Sequence, residues 1–278
     1  MRVMILGASG LLGKDLMREW RGDEVVGLRS TDVDIRDARR IGEVIAQIRP
    51  EWIVLAAAYT NVDGCESNQD LAFAVNRDGP VNVAGAAKQA GAKLLFLSSD
   101  YVFDGTKTVP YETDDRRNPQ SVYGRTKAEA EVRLQELLPE CCIVRTSWLF
   151  GMGGKCFPDT ILKLAAARPA LDVVDDQRGC PTYSVDLARA IITLCQENAS
   201  GIVHATNAGN CTWYEFAREI ISASGLTVPV HPVSTQQMPR PARRPAYSVL
   251  SDASLRRYGI EMPTWQNASR RYLRERNA

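Results

Sequence analysis

The fold is decided by the stretch Arg2-Val3-Met4-Ile5-Leu6-Gly7-Ala8-Ser9-Gly10-Leu11-Leu12-Gly13. Its first five residues are mostly apolar, which predicts a buried parallel strand, and residues 14–20 predict the body of a helix. Gly7 permits a tight turn, Gly10 leaves room for a pyrophosphate against the backbone, and Gly13 lets the helix pack closely on the sheet. The free N–H groups at the start of that helix would hold the phosphates of a dinucleotide.

Strand and helix patterns alternate along the first 150 residues. Predicted strands cover residues 24–28, 52–55, 93–97 and 141–145, predicted helices cover residues 38–48 and 76–90, and a further helix carries residues 123–127. This alternation predicts an α/β fold built on a Rossmann-type, doubly wound parallel sheet.

The regular alternation weakens after residue 150. Helices are still predicted over residues 157–167, 185–196 and 212–224, and a strand over residues 201–204. We expect residues 1–150 to form a dinucleotide-binding Rossmann domain, to which a segment near residues 184–206 returns. Residues 151–278 would then form mainly a smaller substrate-binding region.

The composition argues against several classes of protein. The chain has 278 residues and a net charge of +1, so no electrostatic feature favours nucleic acid or an acidic membrane. No apolar run is long enough to cross a bilayer and no secretory signal is recognisable, so we expect a cytoplasmic protein. The seven cysteines form no C-x-x-C pair and predict reduced, mostly buried thiols. The two histidines have no ligand-like neighbours, so no metal site is predicted from them.

Three residues form a candidate catalytic set. Tyr123 and Lys127 lie four positions apart on a predicted helix and share a face, and Ser99 ends the strand before that helix. All three would converge at the carboxyl edge of the sheet, beside the glycine turn. We expect the Lys127 ammonium to hydrogen-bond the nicotinamide ribose and to lower the pKa of Tyr123. Ser99 would hold the substrate oxygen while Tyr123 supplies a proton and the nicotinamide supplies hydride to a carbonyl carbon.

The segments after the second and third strands bear on the cofactor. Arg29 stands where an acidic residue would accept hydrogen bonds from the ribose of NADH, and a guanidinium favours the 2′-phosphate of NADPH. NADPH is therefore the expected cofactor and NADH the alternative. Asp34 and Ile35 fall where such folds flank the adenine. The small side chains of residues 56–60 would let a cofactor approach the backbone, although close helix packing explains them equally well.

Several motifs resemble those of one family. They are Gly7-Ala-Ser-Gly-Leu-Leu-Gly13, Ala56-Ala-Ala-Tyr-Thr60, Ser98-Ser-Asp-Tyr-Val-Phe-Asp-Gly105, Tyr123-Gly-Arg-Thr-Lys127, Arg145-Thr-Ser-Trp148 and Pro241-Ala-Arg-Arg-Pro245. In these motifs the chain resembles the dTDP-4-dehydrorhamnose reductases, which are extended short-chain dehydrogenases/reductases. The resemblance spans nearly the whole chain. It implies NADPH-dependent reduction of the 4-keto group of a dTDP-4-keto-6-deoxy-L-sugar to give dTDP-L-rhamnose.

The resemblance also implies roles for individual residues. Ser99, Tyr123 and Lys127 match the catalytic triad of the family. The glycine turn and the resemblance together give a cofactor site of Gly7, Gly10, Leu11, Leu12, Gly13, Arg29, Asp34, Ile35, Ala58, Tyr59, Thr60, Tyr123 and Lys127. The implied substrate site consists of Ser99, Asp100, Trp148, Arg243 and Arg244. The two arginines would meet the nucleotide diphosphate, and a nucleotide sugar is the expected partner.

Some members of the family dimerise through magnesium held by three acidic side chains. Asp15, Asp186 and Glu275 fall at or near the corresponding places. Two of the three are Asp where Glu is expected, which argues against Mg²⁺ at a dimer interface. The sequence leaves a monomer and a homodimer open.

Two other functions stay open at this stage. One is an epimerase or dehydratase of the same superfamily, but a 4,6-dehydratase carries Asp-Glu after the Ser or Thr, whereas this chain has Asp100-Tyr101. The other is a non-catalytic, NADP-binding regulatory subunit that resembles that of methionine adenosyltransferase. The intact set of Ser99, Tyr123 and Lys127 favours an enzyme over the regulatory subunit.

Overall fold

A computed structural model describes residues 1–277 of the chain. The strands of these residues are β1 (Arg2–Leu6), β2 (Glu24–Leu28), β3 (Trp52–Leu55), β4 (Lys93–Ser99), β5 (Cys142–Thr146), β6 (Leu149–Phe150), β7 (Leu171–Val174), β8 (Arg178–Gly179), β9 (Thr182–Tyr183), β10 (Gly201–His204), β11 (Cys211–Thr212) and β12 (Val230–Val233). The helices are α1 (Leu11–Glu19), α2 (Ala38–Ile48), α3 (Val62–Ser67), α4 (Gln69–Phe73), α5 (Gly79–Ala90), α6 (Val122–Leu137), α7 (Phe157–Ala167), α8 (Ser184–Gln196), α9 (Trp213–Ala223), α10 (Ala253–Arg256) and α11 (Trp265–Asn277). A π-helical turn (Ala74–Asp78) precedes α5, and a 3₁₀ turn (Asp100–Val102) follows β4.

A parallel sheet of six strands lies at the centre of the molecule. Its order is β2-β1-β3-β4-β5-β10, and every neighbouring pair is parallel. The chain runs outward from β1 to β2 on one side and from β3 through β5 to β10 on the other, so its direction reverses between β1 and β3. Ligands of doubly wound sheets bind at the carboxyl ends of the strands beside such a reversal. This topology confirms the predicted Rossmann-type α/β fold.

Helices cover both faces of the sheet. Along β1, Val3 and Ile5 pack in one apolar cluster with residues of α1 and α8. Met4 and Leu6 point to the other face and pack with residues of α2, α5 and α6. Because the strand is buried on both faces, its sequence is continuously apolar and does not alternate.

Most predicted elements of the sheet layer are confirmed. The predicted bounds of β2, β3, β10, α2 and α7 coincide with those of the structure. Asp37 caps α2 by accepting a hydrogen bond from the Arg40 amide at 2.9 Å. Thr212 and Glu215 form a capping box at the start of α9, so this helix is fixed at its first residue.

Two parts of the chain differ from the prediction. Residues 62–78 form α3, α4 and the π-helical turn, so the helix predicted over residues 76–90 begins as a π-turn and becomes α-helical at Gly79. The first helix begins at Leu11 instead of residue 14. Short helices such as α3 and α4 have too few turns for an apolar period to be recognised.

A second apolar core lies in the segments after residue 150. It contains the aromatic rings of Phe150, Tyr183, Phe216, Trp265 and Tyr272. The strand β10 nevertheless pairs with β5, and α8 packs against α1, so the segment from residue 184 to 204 contributes to the sheet layer. We propose a division near residue 150, because this core is separate from the apolar clusters on the two faces of the sheet.

All seven cysteines are unpaired and buried, and burial raises the pKa of the Cys65 thiol to about 11. Within residues 1–277, no helix is both long and apolar enough to span a membrane.

The glycine turn is held by contacts that leave no space for larger residues. Gly7 has a φ of +94°, a backbone conformation that favours glycine. A Cβ added at Gly13 would lie 2.1 Å from the Gly7 carbonyl oxygen and 2.7 Å from the Ala8 Cα. The first turn of α1 therefore lies directly on the backbone that leaves β1.

We expect the substitution Gly13→Ala to lower the free energy of unfolding by about 1–3 kcal/mol, because the new methyl group meets backbone atoms that cannot rotate away. Gly42→Ala is the matched control, since Gly42 lies inside α2 with no atom within 4 Å of its added Cβ. That control should be about 0.5–1 kcal/mol more stable than wild type, as alanine favours a helix over glycine. Urea unfolding followed by circular dichroism measures both, and equal stability of the two variants would contradict the expectation.

Candidate active site

A cleft of about 750 Å³ opens at the carboxyl ends of the sheet strands. Most of the residues predicted to form the site line it. These are Gly7, Gly10, Leu11, Leu12, Gly13, Arg29, Asp34, Ile35, Ala58, Thr60, Ser99, Asp100, Tyr123, Lys127 and Trp148. Tyr59, Arg243 and Arg244 are not among its lining residues. The structure therefore brings the glycine turn, the Ser-Tyr-Lys set and Trp148 to one cavity.

The start of α1 faces this cleft and offers uncapped backbone donors. Gly10 is the N-cap residue of α1, and no side chain caps the helix. A Cβ added at Gly10 would meet only the Gly7 carbonyl oxygen, at 3.3 Å, among atoms within 4 Å. The first turn also carries no acidic side chain that would repel an anion. These features fit the pyrophosphate of a dinucleotide.

Two arginines line the cleft beyond β2, and each holds a neighbouring carboxylate. The guanidinium of Arg29 donates to both carboxylate oxygens of Asp32 at 3.0 Å. Arg36 binds Asp34 in the same bidentate manner, with distances between 2.6 and 3.0 Å. Hydrogen bonds from Arg29 lower the pKa of Asp32 to about 2, so Asp32 is ionised at neutral pH. An arginine fork that binds a carboxylate also fits a phosphate, and the assignment of Arg29 to the 2′-phosphate stays a prediction.

The segment after β3 is fixed by a buried asparagine that the sequence did not single out. Asn76 accepts a hydrogen bond from the Tyr59 amide at 2.7 Å and donates to the Tyr59 carbonyl oxygen at 3.0 Å. It is fully buried and lies in the π-helical turn. Both hydrogen bonds hold the backbone between Ala58 and Thr60 at the wall of the cleft. Nothing in the sequence around Asn76 indicates that its side chain pairs with the backbone of Tyr59.

Ser99 and Asp100 form a buried polar pair at the end of β4. The Ser99 hydroxyl donates to Asp100 Oδ1 at 2.9 Å and accepts from the Tyr101 amide at 3.2 Å. The other carboxylate oxygen of Asp100 has no hydrogen-bond partner within residues 1–277. Burial raises the pKa of Asp100 to about 6, while hydrogen bonds from Ser248 and Ser99 oppose the increase. Asp100 lines the cleft, and this buried oxygen is an acceptor without a donor among the described residues.

Tyr123 and Lys127 lie on α6 at the same wall of the cleft, where Tyr123 is half-buried and Lys127 is buried. Ser121 caps this helix, and the ring of Tyr101 packs edge-on against that of Tyr123 at 5.6 Å. The Lys127 ammonium donates to the Leu97 carbonyl oxygen at 2.6 Å. Burial lowers the pKa of Lys127 to about 7, and the carboxylate of Glu131 opposes the decrease.

The protonation of Tyr123 differs from the expectation. Burial raises the pKa of Tyr123 well above its usual value, and the charge of Asp100 raises it further. The sequence predicted a decrease caused by Lys127, but in this structure the ammonium group donates to the backbone of β4. Tyr123 is therefore firmly protonated at neutral pH, as a proton donor must be.

Trp148 is held rigidly at the edge of the cleft. Its backbone has a φ of +47°, which is unusual for a residue with a side chain. Its ring stacks on that of Trp213 with centroids 3.5 Å apart, and a Cβ at Gly179 would come within 2.6 Å of the ring. Trp148 is half-buried and lines the cavity, so it offers an aromatic surface to a ligand.

The two arginines predicted to meet a diphosphate lie outside the cleft lining. Arg243 is exposed, and Arg244 donates to both oxygens of Asp63 at 3.0 and 3.1 Å. Asp63 lies on α3, and it also accepts a hydrogen bond from the Ala242 amide. The charge of Arg244 and a hydrogen bond from its side chain favour the ionised form of the Tyr101 hydroxyl, and Tyr101 lines the cleft. Its role in substrate binding stays a prediction.

The three acidic residues associated with magnesium are engaged by other side chains. Asp15 accepts from the Ser184 hydroxyl and pairs with Arg18, and Glu275 also pairs with Arg18. Asp186 binds Arg271 through both of its oxygens. Within residues 1–277, no group of three or more Asp, Glu, His or Cys side chains is placed to hold a metal ion. These residues do not fit a magnesium site.

Comparison with known proteins adds the family. A family model described as the RmlD substrate binding domain matches residues 1–277. The chain is 39% identical to a Bacillus subtilis spore coat polysaccharide biosynthesis protein, SpsK, over 100% of this chain and 98% of that protein. It is also 39% identical to a dTDP-4-dehydrorhamnose reductase of Sinorhizobium fredii, over 98% and 97% of the two chains.

A solved structure agrees over nearly the full length. The dTDP-4-dehydrorhamnose reductase of Bacillus anthracis, crystallised in complex with NADP, superposes with a TM-score of 0.96 at 39% identity and covers 99% of both chains. The fold described above thus agrees with the predicted family. The chain belongs to the dTDP-4-dehydrorhamnose reductase family and is an NAD(P)H-dependent oxidoreductase of that type.

Proposed function

We propose that the protein reduces the 4-keto group of a dTDP-4-keto-6-deoxy-L-sugar with NADPH, converting dTDP-4-dehydrorhamnose to dTDP-L-rhamnose. The observation that carries this proposal is the convergence of Ser99, Tyr123 and Lys127 on the cleft that also contains the glycine turn. The names of the full-length relatives support the substrate class. The NADP complex of the Bacillus anthracis relative supports the cofactor.

The proton-transfer part of the reaction follows from the protonation of the site. NADPH, when bound, would supply hydride to the carbonyl carbon. Tyr123 would give its phenolic proton to the carbonyl oxygen as the alkoxide develops, and its hydroxyl is protonated at neutral pH before the reaction. Ser99 lies beside Tyr123 and would hold the same oxygen through its hydroxyl.

Lys127 would orient the cofactor and stabilise negative charge on Tyr123. Its ammonium now donates to the Leu97 carbonyl oxygen, which leaves further protons for the ribose of a bound cofactor. Its positive charge stabilises the phenolate that forms after proton transfer. With a pKa of about 7, Lys127 is close to half protonated at neutral pH before any ligand binds.

The remaining residues would place the nucleotide sugar. The unpaired oxygen of Asp100 points to a sugar hydroxyl as its partner, since a buried acceptor without a donor costs free energy. Trp148 supplies a flat surface for the apolar face of a deoxysugar. Arg29, with its fork directed at Asp32, supplies a phosphate site for NADPH at the far end of the cleft.

We expect Tyr123→Phe to lower kcat for dTDP-4-dehydrorhamnose by about 100-fold or more, which is the usual contribution of a general acid. The Kd for NADPH should stay within about twofold, since the ring remains and the pyrophosphate site is distant. Oxidation of NADPH at 340 nm and quenching of protein fluorescence measure the two quantities. Tyr258→Phe is the matched control, because Tyr258 packs against the core away from the cleft.

Wild-type protein that binds NADPH but does not turn over the substrate would reject the proposed reaction. Turnover by Tyr123→Phe at the wild-type rate would reject Tyr123 as the acid. A regulatory subunit would show the first result, and another keto-sugar reductase would show turnover only with its own substrate.

We expect Arg29→Gln to weaken NADPH binding relative to NADH by about tenfold, which corresponds to 1.4 kcal/mol. The change removes the guanidinium that we assign to the 2′-phosphate. Arg39→Gln is the control, because Arg39 is an exposed arginine on α2 that pairs with Glu43, and its replacement removes one positive charge as Arg29→Gln does. An unchanged ratio of the two Kd values in Arg29→Gln, or an equal change in Arg39→Gln, would show that Arg29 does not select the cofactor.

A further inference from the structure

A buried ionic junction lies directly beneath the cleft. We name Glu131, Ser98, Arg117 and Arg145 the Glu131 junction. One oxygen of Glu131 accepts from the Ser98 hydroxyl at 2.5 Å and from Arg145 Nε at 2.9 Å. The other accepts from Arg117 Nε at 2.5 Å and from Arg145 Nη2 at 2.7 Å. The side chains of Glu131 and Arg145 are both 0% exposed.

The junction joins the two elements that carry the candidate catalytic residues. Ser98 precedes Ser99 on β4 and lies opposite Arg145 on β5 in the sheet register. Glu131 follows Lys127 by one helical turn on α6, so the two side chains share a face. The strand that ends in Ser99 is therefore tied to the helix that carries Tyr123 and Lys127 through this one carboxylate.

The carboxylate is held in its charged form. Burial opposes the ionisation of Glu131, but hydrogen bonds from Arg145 and the charges of Arg145 and Arg117 outweigh it, and the pKa lies below its usual value. On the far side, Arg145 approaches His204 at 3.3 Å. Burial and the charge of Arg145 lower the pKa of His204 to about 3, so His204 is neutral.

Other ionisable groups also face α6, and they act on residues other than Lys127. They are Asp100 and Tyr101 on the 3₁₀ turn, Cys65 and Glu66 on α3, Arg77 and Asp78 on the π-helical turn, and Arg117, Arg145 and His204 behind Glu131. The charges of Asp100 and Cys65 raise the pKa of Tyr123, and Arg77 forms ion pairs with Asp78 and Glu129. Glu66 accepts from the Val122 amide at 2.8 Å. The charge that acts on Lys127 is that of Glu131.

Stability alone does not account for such a cluster. Charges removed from water carry a large desolvation cost, and a buried ion pair replaced by apolar residues of equal volume is often as stable or more stable. A carboxylate and a guanidinium in the core, with a second guanidinium half-buried beside them, therefore indicate a use beyond packing. Their position between β4 and α6 places that use at the active site.

We propose that Glu131 is a positioning residue for the reduction: its carboxylate fixes Ser99 relative to Tyr123 by holding Ser98, and it provides the negative charge that faces the Lys127 ammonium. This inference rests on the proposed function of Ser99, Tyr123 and Lys127. It gives Glu131 two separable effects. One is geometric and passes through Ser98, and the other is electrostatic and passes through Lys127.

The test compares the pH dependence of kcat in Glu131→Gln, Ser98→Ala and Glu131→Asp. Loss of the carboxylate removes an interaction that favours charged Lys127, so its pKa falls further. In Glu131→Gln we therefore expect the alkaline limb of the profile to move to lower pH by about one unit, with a kcat about tenfold lower. Ser98→Ala should lower kcat by a similar factor without moving the limb. Glu131→Asp restores the charge and should return the limb toward wild type.

The control is Glu129→Gln, which removes a carboxylate from the same helix at a partly exposed position paired with Arg77. It should keep the wild-type profile. Circular dichroism and the Kd for NADPH establish that each variant is folded. Should Glu131→Gln fail to fold because Arg117 and Arg145 lose their partner, Ser98→Ala decides: a lower kcat supports the proposal, and an unchanged kcat overturns it.

Different results would reject the proposed function and the proposed role of Glu131. Wild-type turnover by Tyr123→Phe would reject the proposed catalytic set and the role of Glu131 together. Inactive Tyr123→Phe beside Glu131→Gln with the rate and pH profile of Glu129→Gln would overturn the role of Glu131 alone.

Discussion

The contact between α1 and the backbone that leaves β1 is the constraint on which the site depends. Gly13 lies so close to the Gly7 carbonyl oxygen that even a methyl group would overlap it. This closeness brings the uncapped N–H groups of α1 to the carboxyl end of β1, beside the point where the strand order reverses. The cleft that opens there extends to Arg29 after β2 in one direction and to Ser99 after β4 in the other.

A second general property of the site is the effect of burial on its ionisable groups. Desolvation favours the neutral form of each group, so Asp100 and Tyr123 have raised pKa values and Lys127 a lowered one. Only groups with strong partners stay charged in the interior, and Glu131 is the main example. The state of the catalytic groups is thus set by a few fixed pairs and by whatever ligand displaces water from the cleft.

The fold could be predicted from local signals to a large extent. Continuous apolar runs marked the strands, and Asp37 and Thr212 marked helix starts, because these signals act over a few residues. The position of the candidate site could be predicted for the same reason, since its residues follow strands whose carboxyl ends must meet at one edge of the sheet. Contacts between residues far apart in the chain could not be predicted from the sequence. Asp63 and Arg244 are separated by 181 positions, and nothing in either segment indicates that they pair.

The protonation of Tyr123 shows a different limit. A lysine four positions away on a helix predicted a lowered pKa, but the outcome depends on burial and on where the ammonium points. Both are tertiary properties. Sequence reasoning therefore predicted which residues line the cleft better than it predicted their charge states.

The return of the chain to the sheet has a consequence for dividing the protein. The strand β10 covers the outer edge of β5, and α8 covers α1 and one face of the sheet, although both follow residue 183. A fragment that ends at residue 150 would expose the backbone edge of β5 and an apolar surface that includes Leu16 and Val144. Uncovered strand edges of this kind pair with other chains. The proposed cofactor-binding region of residues 1–150 is therefore not a detachable module, and exchange of the proposed substrate-binding region between relatives would need at least two junctions.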